Sequence, residues 1–181
     1  MIIEEQLLTP NQWSRPGIPI RKVKAVVIHW VENKLQPASG VWRYFEDRKK
    51  GKTAYGSTHY IVGLDGEIIQ AIPEKEVSYN CGHETYTGYK RHVFGELNPN
   101  YNTIAMELCH VDWDGTFSQE TISSAAALTA DILHRHSLTP LDVTTHHNIV
   151  GYKDCPRLFV RHPEEFQLFI ERVRTYYREE I

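Results

Sequence analysis

At 181 residues, 41% hydrophobic and 24% charged, the chain is long enough to bury a core without disulfide staples and has the composition of a globular domain. A formal net charge of −3 leaves no basic stripe, which argues against nucleic acid as a partner. The opening Met1-Ile-Ile-Glu-Glu-Gln has neither a positive n-region nor an apolar h-region, and no run approaches the ~20 apolar residues of a membrane span. The expectation is synthesis in the cytoplasm without a signal peptide. Three cysteines cannot all pair with one another. Cys81 and Cys109 read most simply as small apolar side chains, with a disulfide between them the lesser alternative.

Residues 1–22 read as an extended arm broken by Pro10, Pro16 and Pro19. Lys24 to Val31 is apolar at alternate and intervening positions, the pattern of a central strand covered on both faces. His29 lies near its C-terminal end, where open α/β sheets collect their sites. Taken alone it reads more readily as a core histidine with its hydrogen bond satisfied. Ala38, Val41, Trp42 and Phe45 recur at helical spacing, and Arg48, Lys49 and Lys50 place positive charge in the last turn before Gly51. Residues 57–71 predict a hairpin with Asp65-Gly66 at its turn. His59 within it reads as a hydrogen-bonding neighbour of a site rather than a ligand.

Residues 72–102 lack periodicity, and Tyr79, Tyr86, Tyr89 and Phe94 there suit a surface that grips an elongated ligand, or else a variable loop. Thr103 to Cys109 predicts a strand with Ile104, Met106 and Leu108 on one face and Thr103, Ala105, Glu107 and Cys109 on the other. A carboxylate there is costly unless it is paired or stands beside a cation. Two amphipathic helices follow. Ser118 caps the first, which carries Ile122, Ala125, Ala126, Thr129, Ile132 and Leu133 on one face. Pro163 opens the second, with Phe166, Phe169, Ile170, Val173 and Tyr177.

Between the helices, residues 144–156 place His146, His147, Lys153 and Cys155 on one short stretch. Imidazole and thiolate are ligands that Zn²⁺ prefers. His29, His147 and Cys155 supply three, leaving a fourth position for water, which is the pattern of a catalytic rather than a structural zinc site. His146 is the rival of His147, and periodicity does not separate them. A hydrolase built this way needs a proton acceptor and a cation for the developing oxyanion. Glu107 and Lys153 fit those two roles. A cysteine nucleophile, Cys155 with His147, is a further option.

The runs Val26-Val-Ile-His-Trp30, Ser57-Thr-His-Tyr60, Asn102-Thr-Ile-Ala-Met-Glu-Leu108 and His147-x7-Cys155-Pro156, in that order, resemble the zinc-dependent N-acetylmuramoyl-L-alanine amidases of type 2. That family includes bacteriophage endolysins, bacterial autolysins and animal peptidoglycan recognition proteins. The phrase Asn11-Gln-Trp-Ser-Arg-Pro-Gly17 resembles the opening of the endolysin branch. The resemblance implies a single-domain α/β fold, a central mixed sheet flanked by helices with zinc in a surface groove, the arm of residues 1–22 packed on it. It implies peptidoglycan as substrate, cleaved between the lactyl group of N-acetylmuramic acid and L-alanine. His29, His147 and Cys155 match the metal ligands, the x7 spacing favouring His147. Glu107 matches the catalytic carboxylate and Lys153 a residue that stabilises the tetrahedral intermediate. Trp30, Thr58, His59 and Asn80 fall where substrate contacts are expected. Thr58 stands where some members carry tyrosine, and Asn80 where many carry histidine. A muropeptide-binding module of the same fold is the alternative function; loss of the cysteine ligand marks that branch, and Cys155 is present.

Overall fold

The strands are β1 (Ile3–Glu5), β2 (Ala25–Trp30), β3 (Tyr60–Val62), β4 (Ile68–Gln70), β5 (Thr103–Leu108) and β6 (Val143–Thr145). In this computed structural model, which describes residues 1–51, 54–82 and 85–179, they form one mixed sheet in the order β1-β4-β3-β5-β2-β6. The β3/β4 hairpin is antiparallel and the other pairings are parallel. β2 and β5 are buried along almost their whole length, as their unbroken apolar runs require of strands covered on both faces.

Helices α1 (Ala38–Glu46), α2 (Gly88–Phe94), α3 (Gln119–Arg135), α4 (His146–Val150), α5 (Arg157–Arg161) and α6 (Pro163–Glu179) form the outer layers. Val26, Ile28, Ile104, Met106 and Leu108 make one continuous core with α3, α5 and α6. On the opposite face the core is split. Ile61, Ile69 and Cys109 pack under α1, whereas Ala25 and Val27 pack under α2 and α4. The space between these two cores is where the site lies.

The predicted arm is more integral than an extended segment. Residues Ile3–Glu5 join the sheet edge beside β4, and Leu8 is fully buried under α1. The predicted irregular stretch 72–102 contains α2, because Thr87 caps it by accepting the Lys90 N–H and Phe94 is buried against the sheet; its positions 83 and 84 lie outside the described residues. Tyr86, Tyr89 and Phe94 therefore pack around α2, and Tyr79 alone of that aromatic set lines the groove described below. Ser118 caps α3 as expected, accepting from the Thr121 N–H. All three cysteines are free, Cys81 and Cys109 lying in different cores.

Candidate active site

The register of β2 determines what meets what. β2 sets His29 opposite Glu107 on β5, and on its other side Ile28 opposite Thr145 of β6. One residue further, the chain enters α4 at His146, which therefore stands beside His29 with ring centroids 4.6 Å apart. Thr145 caps α4 by accepting the Asn148 N–H, and Gly151 ends it in the left-handed region at φ 85°. The chain then folds back. The His147 N–H donates to the Cys155 carbonyl and the Cys155 N–H to that of Lys153, each at 2.9 Å. This turn delivers Cys155 Sγ to 3.7 Å from His29 Nδ1. Ligand atoms of His29, His146 and Cys155 lie within 4.8 Å of one another, all three residues buried.

His147 is not part of that group, which corrects the expectation from spacing. In a helix one residue turns the side chain by about 100°, and in the parallel register position 146 is the one that continues the row containing position 29. His147 is half-buried, and its Nδ1 donates to the Lys153 carbonyl at 2.7 Å, so it braces the turn that carries Cys155.

The three side chains open into a groove of about 850 Å³ between the two split cores. Glu107 and Lys153 line it, as do Trp30 and Asn80, with Tyr44, Tyr55 and Tyr79 toward one end. Asn80 is held by donating to Ser78 Oγ at 3.0 Å and to Thr103 Oγ1 at 3.2 Å. Thr58 and His59 do not line the groove; both are fully buried. Thr58 Oγ1 donates to the Tyr60 carbonyl. His59 Nε2 donates to the Glu76 carbonyl at 2.9 Å while its Nδ1 accepts the Ala105 N–H at 3.1 Å, so both ring nitrogens are committed to the scaffold. Burial pushes the His59 pKa down to about 4. In this structure both residues, where substrate contacts were expected, bond within the scaffold instead of facing the groove.

Burial dominates the electrostatics. It drives the His29 pKa well below its usual value, helped by His146 and Lys153, so the ring is neutral, the form that binds metals. It pushes the Glu107 carboxyl up to about 8, with the Lys153 charge acting the other way. It also pushes the Cys155 thiol up, as does the nearby Glu107. His29 Nε2 and Glu107 Oε2 are buried with no hydrogen-bond partner among the described residues. Buried polar atoms left this way call for a ligand, and two imidazoles with one thiol are a donor set that suits zinc. The residues present fit that ion.

Sequence reasoning overlooked Arg157, which lines the groove two positions after Cys155 with its guanidinium 4.7 Å above the Trp30 ring. It also overlooked Tyr44 in the groove wall; Phe45 beside it, which the helical spacing marks as core or groove wall, is both, buried under α1 and lining the groove.

Residues 19–158 match the family model described as N-acetylmuramoyl-L-alanine amidase. A probable N-acetylmuramoyl-L-alanine amidase of Bacillus licheniformis is 33% identical over 165 residues, covering 90% of this chain and 44% of the relative. The N-acetylmuramoyl-L-alanine amidase BlyA of Bacillus subtilis (strain 168) is 28% identical over 170 residues, covering 91% and 45%. The chain thus spans less than half the length of these curated relatives. The structure of PlyL superposes with a TM-score of 0.74 at 22% identity, covering 96% of this chain and 97% of that one, a likeness of fold. With a family match across the sheet, the groove and the buried His-His-Cys group, the chain belongs to the N-acetylmuramoyl-L-alanine amidase family.

Proposed function

We propose that this chain hydrolyses the amide between the lactyl group of N-acetylmuramic acid and L-alanine in peptidoglycan, as a zinc-dependent amidase. The observation that carries the reading is the convergence of His29, His146 and Cys155 on one buried point in a groove that also presents Glu107 and Lys153. Family membership and the names of the relatives support it. His29, His146 and Cys155 would hold the ion. Zinc bound there supplies Lewis-acid polarisation of a carbonyl and lowers the pKa of water toward ~7.

The chain's own groups do the rest. Glu107 Oε2, unpartnered beside His29 in the register, accepts the proton of the attacking water and returns it to the departing alanine nitrogen. Burial raises the proton affinity of this carboxyl, which suits it to hold the proton between the two transfers. Lys153 Nζ places positive charge where the carbonyl oxygen becomes an oxyanion. The flanking aromatic wall orients the ligand and excludes water from the reacting amide.

The test is incubation of zinc-loaded protein with purified cell walls. New L-alanine amino termini should appear, vanish on chelation, return with added zinc, and be absent for Glu107→Ala. Walls left uncut by the zinc-loaded protein contradict the reading. Retention on walls without any cleavage, unchanged by Glu107→Ala, would indicate a binding module instead.

A further inference from the structure

Arg157 opens α5, two residues after Cys155, and projects into the groove wall. Its guanidinium lies 4.7 Å above the Trp30 ring, and Nη1 donates to the Trp113 carbonyl at 2.5 Å. Trp30 is itself pinned. Its other contacts include the His110 ring at 4.5 Å and the backbone of Gly115, where an added Cβ would meet the indole at 3.0 Å. His110 is fixed in turn, with ring nitrogens 2.9 Å from the Val31 carbonyl and 2.6 Å from that of Asp112. The cation therefore rests on a rigid platform and is aimed by it.

What the platform lacks is a counter-charge. Among the described residues Arg157 has no ion-pair partner, and its Nε is buried with no hydrogen bond. The acid closest to it in sequence, Asp154, is engaged by Arg161 at 3.2 Å. Glu32 lines the same groove without pairing to Arg157. A planar fork held at fixed orientation, with most of its five donors unspent, matches a carboxylate in two-point contact. Because its rotamers are already restricted by the stack, little ordering remains to oppose binding.

We propose that Arg157, stacked on Trp30, is a specificity-determining residue that selects peptide ligands carrying a free carboxylate over their carboxamide counterparts. This rests on the amidase reading for the placement of a peptide in the groove. Trp30 acts as a positioning residue, through Arg157.

Calorimetric titration tests it with muramoyl-L-alanyl peptides of two and three residues, once with every carboxyl free and once fully amidated. Zinc-loaded protein is used in a Glu107→Gln background, which leaves the ligand intact under the proposed function. The acid form should bind at least about tenfold more tightly than the amide. Arg157→Gln should bring that ratio close to one, and Arg157→Lys, which keeps the charge and loses the fork, should retain part of it. An acid-to-amide ratio unchanged by Arg157→Gln overturns the proposal, as does the absence of any preference in the protein with Arg157, or binding of neither ligand. Failure of the amidase reading looks different: intact cell walls after treatment, with the acid preference and its dependence on Arg157 still present.

Discussion

A buried ring nitrogen without a partner costs about 1–3 kcal/mol; His29 carries one at Nε2, while its Nδ1 faces the Cys155 thiol at 3.7 Å and the His146 ring stands beside it. The cost is recovered if a cation takes those lone pairs, so affinity for metal is the property on which these residues should differ. His146→Ala should lower zinc affinity by more than about 100-fold, beyond the ~10–100-fold characteristic of an outer partner, whereas His147→Ala should fall within that range. Zinc competition with a chromophoric chelator measures both. Lys153→Ala should lower kcat by about 10²–10³ with little change in KM, as for loss of an oxyanion donor. The residue types of the proposed ligand set were legible in the sequence, since a strand histidine and a late cysteine are recognisable by residue type and position. The choice between His146 and His147 was not, because it depends on the pairing of β6 with β2, and β6 has only three residues.

At the scale of elements, the site is held by strands whose outer ends are tied down by charge and turn chemistry. Ile28 is fully buried in the main core one residue before His29, and Ile28→Ala should destabilise the fold by about 2–5 kcal/mol in denaturant titration. Glu74 joins β3 and α3. Burial alone would raise its pKa, but hydrogen bonds from Arg135, Tyr60 and His136 outweigh that and hold it below the usual value. A depressed folded-state pKa contributes stability that is present above the unfolded value of 4.5 and lost as pH falls through the lower folded one. Glu74→Gln should therefore cost about 1–3 kcal/mol at neutral pH, with the difference from the parent shrinking in acid, as read from melting curves across that range. The long strands, the hairpin and the two terminal helices were legible because period and caps agree there. α2 and α4 were not, since each is short and depends on a threonine cap and tertiary packing more than on its own periodicity.

The molecule as a whole is a sheet with one continuous core and one divided core, and the division is what leaves room for a groove. The first residues belong to this plan, with β1 extending the sheet and Leu8 filling the space under α1. Leu8→Ala should cost about 2–5 kcal/mol, where a merely extended arm would tolerate it within about 0.5 kcal/mol. No helix among the described residues is long and apolar enough to cross a membrane. Everything proposed about chemistry depends on one ion being held by side chains from β2, α4 and the turn before α5. The most direct measurement is a crystal structure of zinc-loaded protein with an anomalous difference map at the zinc edge. A single peak within bonding distance of His29, His146 and Cys155, with one position left to solvent, is the predicted result. A peak bound by His147 in place of His146, or no peak in the groove from protein saturated with zinc, would contradict it.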